Sequence, residues 1–100
     1  MINLPKGLLE VVKIHLDITW EDEKTDAKIT GIINRGIRFL DDKAGAELDY
    51  IAEDRPQELL LEYCRYTRDG ILNEFMMNYA PFIQDLRVRN GGVYGKTTSL

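Results

Sequence analysis

Residues 56–79, PQELLLEYCRYTRDGILNEFMMNY, decide the fold. Leu60, Tyr63, Cys64, Thr67, Ile71 and Phe75 recur every three or four residues, the spacing that stacks side chains on one face of an α-helix. Leu59, Leu61, Leu72, Met76, Met77 and Tyr79 widen that stripe nearly all round. Pro56 suits a first helical turn, where no N–H donor is required of it. The pattern therefore predicts one long helix over 56–79. A helix apolar on so much of its circumference belongs at the centre of a bundle, or also faces another subunit.

Beyond that helix, Pro81 is expected to break or kink the chain, and Phe82, Ile83 and Leu86 mark a last short helix over 81–89, stopped by Gly91 and Gly92. Before it, Ile29, Ile32, Ile33, Ile37 and Leu40 predict a helix over 22–43. Thr19-Trp20-Glu21-Asp22 has the T-x-x-D form of a capping box, with Asp22 and Thr25 equal candidates for the cap, and Gly45 ends the helix. Gly31 and Gly36 lie inside it, each costing up to ~1 kcal/mol relative to alanine unless another helix packs closely against them. Leu8, Leu9, Val11, Val12, Ile14 and Leu16 give a first helix over 5–16. AGAELDYIAED, residues 44–54, has no clear period and reads as a connecting loop, which Leu48, Tyr50 and Ile51 can pin to the core. With no strand, repeat or low-complexity tract, the fold class is all-α. It is a small bundle of about four helices over 1–90, followed by a flexible arm at 91–100.

Composition narrows the function classes. One hundred residues at 44% hydrophobic and 30% charged make one small domain. A net charge of −4 opposes sequence-independent binding to a phosphate backbone. The charge is also uneven: residues 17–54 hold eleven acids and five bases, whereas 80–100 hold Asp85 against Arg87, Arg89 and Lys96. An acidic body with a basic end can meet a partner protein or another copy of itself. Cys64 is the only cysteine, so no internal disulfide forms, and a reducing compartment fits. No apolar run approaches the ~20 residues that span a bilayer, and no basic-then-apolar leader is present, so the expectation is a cytoplasmic, non-membrane protein.

GGVYGKTT, residues 91–98, ends like a phosphate-binding loop, but Asn90 stands where the first glycine belongs and only Thr98, Ser99 and Leu100 follow Thr97, too few for the required helix. His15 and Cys64 lie on apolar stripes and read as packed side chains rather than a catalytic pair. Zinc lacks a second Cys or His at ligand spacing. Asp41, Asp42, Glu47 and Asp49 fail the calcium-loop spacing, since Lys43 takes its third place. YCRYTRDG, residues 63–70, alternates aromatics with arginines, but helical spacing separates Tyr63 and Tyr66 from Arg65, Arg68 and Asp69: core on one side, solvated face on the other. No enzyme, cofactor or metal centre is expected.

Three stretches together resemble a known family. They are the W-x-D-x-x-T-D entry at Trp20, Asp22, Thr25 and Asp26, AGAELDY at 44–50, and ELLLEYCRY at 58–66. Residues 8–89 resemble the small head–tail connector (head-completion or adaptor) proteins of tailed bacteriophages. The resemblance implies a helical, non-enzymatic virion protein, made in the host cytoplasm, that assembles as a homo-oligomeric ring beneath the portal. Such a ring extends the channel through which genomic DNA passes without sequence-specific binding, and carries the tail or stopper protein. It also implies that 91–100 is a docking arm, with Arg87, Arg89, Tyr94 and Lys96 as partner-binding residues. The alternative from a different class is a small acidic helical regulator that binds another protein.

Overall fold

Asp22 opens the helix around which the others pack. In a computed structural model that describes residues 4–90, its carboxylate accepts hydrogen bonds from the Thr25 backbone N–H at 2.9 Å and the Thr25 hydroxyl at 2.7 Å. The Asp22 carboxyl is held below its ordinary range chiefly by the Thr25 hydroxyl and then by the Thr25 N–H. Of the two candidate caps, Asp22 is therefore the acceptor and Thr25 the donor. Four helices result: α1 (Leu8–His15), α2 (Glu23–Ala44), α3 (Arg55–Arg68) and α4 (Leu72–Arg89). No strand occurs among the described residues, and the all-α bundle is as expected. The expected arm at 91–100 lies outside the described residues.

The largest departure from the sequence reading falls in the long helix. The stretch 56–79 is not one helix: α3 ends at Arg68 and α4 starts at Leu72. Gly70 adopts a left-handed φ of +76°, its N–H bonds back to the Thr67 carbonyl at 3.1 Å, and the Ile71 N–H reaches the Tyr66 carbonyl at 2.9 Å. This pair of bonds is a Schellman termination, which satisfies carbonyls that the helix end would leave orphaned. Pro81, expected to break or kink the chain, does not break it but lies inside α4. Its ring removes a donor to the carbonyl of Met77, and Met77 is 71% exposed, so that carbonyl sits on the watered side of the helix.

The core forms where α2, α3 and α4 meet. Leu8, Val12, Ile33, Leu40, Leu60, Cys64 and Phe75 are completely buried. Phe75 sits at the hub of an aromatic cluster, with ring centroids 5.7 Å from Tyr63, 5.8 Å from Tyr66, 5.1 Å from Tyr79 and 6.4 Å from Phe39. Gly36 lets α3 approach α2: a Cβ there would lie 2.7 Å from Leu60 Cδ1 and 2.8 Å from Tyr63 Cδ1. Gly31 has no such neighbour, only the Arg35 guanidinium at 3.6 Å, so close packing explains one of the two helix glycines and not the other.

Polar contacts fix the shorter pieces. The Lys13 ammonium meets Asp26 Oδ1 at 2.7 Å, serving a buried oxygen that has no other partner, and so ties α1 to α2. The Arg68 guanidinium donates to the Leu16 carbonyl at 2.8 Å, tying α3 to the end of α1. In the 45–54 connection, Asp41 Oδ1 accepts from the Tyr50 hydroxyl at 2.7 Å and the Leu48 N–H at 3.1 Å. Burial first, and then that carboxylate, push the Tyr50 hydroxyl well above its ordinary range. Leu48 and Tyr50 pin the loop as expected, whereas Ile51 is exposed.

Candidate interaction surface

The four expected contact residues divide between two situations. Arg87, on the last turn of α4, donates to the Lys43 carbonyl at 3.3 Å, placing a cation at the C-terminal end of α2, where the helix dipole favours one. Arg89 pairs with Asp85 one turn back, Nε to Oδ2 at 2.9 Å. Both remain exposed near the C-terminal end of α4, two residues apart and so on different sides of the helix. Tyr94 and Lys96 lie outside the described residues.

Besides Ile51, Ile71, Met76 and Phe82, exposed apolar side chains form two groups. On α4, Met77, Pro81, Gln84 and Val88 follow at three- and four-residue steps on the side opposite Phe75, Ile83 and Leu86, and all four are exposed, Met77 at 71% and Val88 at 46%. Glu74 and Asp85 flank this stripe on one side and Arg87 on the other. At the opposite end of the bundle, Ile14 is 75% exposed and Trp20 49% exposed, on a cleft of about 350 Å³ lined also by Glu10, Lys13, Ile18 and Glu21. Large apolar side chains clustered on a surface mark contacts with something else.

α3, by contrast, turns Arg65 and Arg68 to solvent and buries Tyr63, as the sequence pattern requires. The expected all-round apolar helix thus resolves into a helix with a charged outer face and a second helix with an apolar one. Sequence reasoning missed the exposure of Ile14 and Trp20. One signal was available: Leu8, Val12 and Leu16 already complete a four-residue repeat, and Ile14 stands off that face.

A cleft of about 300 Å³ lies between α1, α3 and α4 and holds a polar pair. His15 Nε2 is 3.0 Å from Glu62 Oε2, and the Tyr79 hydroxyl donates to Glu62 Oε1 at 3.4 Å. Desolvation, and then the Glu62 charge, raise the Tyr79 hydroxyl above its ordinary range, which keeps it protonated as the donor. Arg55 closes one side with its guanidinium 4.4 Å above the Phe82 ring. These contacts lock three helices together. Cys64 does not face this cleft: it is completely buried, and burial pushes its thiol up to about 12, far from a reactive thiolate. Asp41, in the last turn of α2, and Asp49 are engaged by backbone N–H groups of the 45–54 connection, and no cluster of three metal-ligating side chains occurs among the described residues. No helix among the described residues is long and apolar enough to cross a membrane.

No family model, curated protein or solved structure matches the chain.

Proposed function

We propose that this chain is a structural, ring-forming head–tail connector of a tailed bacteriophage, which joins the DNA-filled head to the tail beneath the portal. The observation that carries the reading is the outer face of α4. On a helix that already buries Phe75, Ile83 and Leu86, the exposed Met77, Pro81 and Val88 form a stripe that another surface can cover. A neighbouring subunit in a ring supplies such cover. The all-α fold agrees with the resemblance at Trp20–Asp26, 44–50 and 58–66. The net charge of −4 suits a channel wall past which DNA slides, because like charges repel its phosphates.

In this reading the portal and the tail or stopper protein are the other partners, the protein resides in the virion after assembly in the host cytoplasm, and no turnover is involved. Electron microscopy of the concentrated full chain tests it. Annular particles should appear, and Met77→Glu with Val88→Glu should abolish them while leaving the circular dichroism of the bundle intact. Single particles for both proteins would refute it.

A further inference from the structure

We infer that the Ile14–Trp20 cleft receives the basic C-terminal segment of a second copy of this chain, residues 86–100. The inference deepens the ring reading by naming one of the contacts between copies, and it rests on that reading only for the claim that copies associate.

The cleft has the chemistry to take such a segment. Its lining is largely polar, with Ile14 and Trp20 as exposed apolar side chains within it, and it includes Glu10 and Glu21, neither of which has an ion-pair partner among the described residues. The one lysine lining it, Lys13, already pairs with Asp26 at 2.7 Å, so the unsatisfied charge of the cleft is negative. An aliphatic-plus-cationic ligand fits: apolar groups against Ile14, a guanidinium or ammonium over the indole of Trp20 or beside the carboxylates. After Asp85 this chain offers such a stretch. LRVRNGGVYGKTTSL carries Arg87, Arg89 and Lys96, with Val88, Val93 and Tyr94 between them, and no acidic side chain; Arg87 and Arg89 are exposed although each already makes one contact within its own bundle, to the Lys43 carbonyl and to Asp85.

Reach favours another copy as the source of the segment's cations. Arg87 is bonded to the Lys43 carbonyl, so α4 ends beside the C-terminus of α2, whereas Trp20 precedes its N-terminus. The 22 residues of α2 separate those ends by about 33 Å at 1.5 Å per residue. Lys96 lies six residues beyond Asn90, which even fully extended spans at most about 21 Å. The chain therefore cannot carry its own Lys96 to its own cleft. A contact between unlike ends of two copies is heterologous, and such contacts propagate into rings where the rotation closes.

Trp20 is the only tryptophan, so its emission reports on the cleft alone. An amidated synthetic peptide of residues 86–100 is titrated into the full-length chain held dilute, with light scattering run in parallel on the chain at rising concentration. The expected result is a saturable blue shift of Trp20 emission that weakens as salt is raised. In the doubly substituted Glu10→Lys, Glu21→Lys chain it should need at least tenfold more peptide; both positions are exposed, and circular dichroism confirms that the variant is folded. Emission unchanged at millimolar peptide, or identical titrations for both chains, overturns the inference. If assemblies form in scattering without any change at Trp20, this contact is wrong and the ring reading survives. If Trp20 responds to peptide while the chain stays monomeric throughout, the contact stands and the ring reading falls.

Discussion

Gly36 and Gly31 sit five residues apart in the same helix, and alanine should act on them in opposite directions. In a helix interior alanine is favoured over glycine by up to ~1 kcal/mol at either site. At Gly31 nothing offsets that gain, because the nearest atom to the new methyl is the tip of the flexible Arg35 side chain at 3.6 Å. At Gly36 the methyl would lie 2.7 Å from Leu60 Cδ1 and 2.8 Å from the Tyr63 ring, so both must move. Leu60 is completely buried, and the Tyr63 ring is held between Phe39 and Phe75, each at 5.7 Å between centroids. Overpacking of that kind costs about 1–3 kcal/mol, which exceeds the propensity gain and leaves Gly36→Ala a net loss of roughly 1 kcal/mol. The two variants should thus differ by about 2 kcal/mol, or on the order of 10 °C in Tm for a domain of this size. Thermal melts followed by circular dichroism, with urea titrations to obtain free energies, measure the gap. Equal shifts of the same sign would refute the claim that α3 approaches α2 through Gly36.

Other outcomes follow from the same contacts. Phe75→Ala, which empties the hub of five aromatic rings, should cost about 3–5 kcal/mol in urea unfolding, a large share of the stability of a small domain. Gly70→Ala should destabilise by about 1 kcal/mol or more, because the Schellman turn needs φ near +76° there, whereas Pro81→Ala should stabilise α4, both read by thermal melts. Cys64 should react with a thiol reagent only as fast as the bundle opens. Since burial raises its pKa from 9.0 to about 12, its contribution to stability is complete below pH 9 and is lost as pH climbs from 9 toward 12, which urea titrations across that range would show.

The fold was legible wherever local signals agreed. α2 follows from Ile29, Ile33 and Leu40 on one face, Asp22 with Thr25 at its start and Gly45 at its end. The break between α3 and α4 escaped periodicity because Thr67, Ile71 and Phe75 keep a four-residue step straight through the turn, so the apolar pattern reads as continuous although the backbone is not. Asp69-Gly70 was the better signal, a turn dipeptide able to adopt the left-handed cap. Pro81 misled in the opposite direction: the cost of an interior proline depends on whether water reaches the carbonyl it frees, and that is set by which face packs. A single helical wheel over 56–79 places the buried Tyr63 and the exposed Met77 in one pattern, in which the outer stripe of α4 does not stand out. The contacts of Arg87 with the Lys43 carbonyl and of His15 with Glu62 join residues more than forty positions apart, and no local pattern encodes them.

The central claim is that the exposed apolar face of α4 is covered by another copy of the chain. Light scattering of the purified full chain over a hundredfold rise in concentration, beside the Met77→Glu, Val88→Glu variant, tests it most directly. The account predicts one discrete species of order ten subunits for the natural chain and a folded monomer for the variant. A natural chain that stays monomeric, or a variant that assembles equally well, would contradict it.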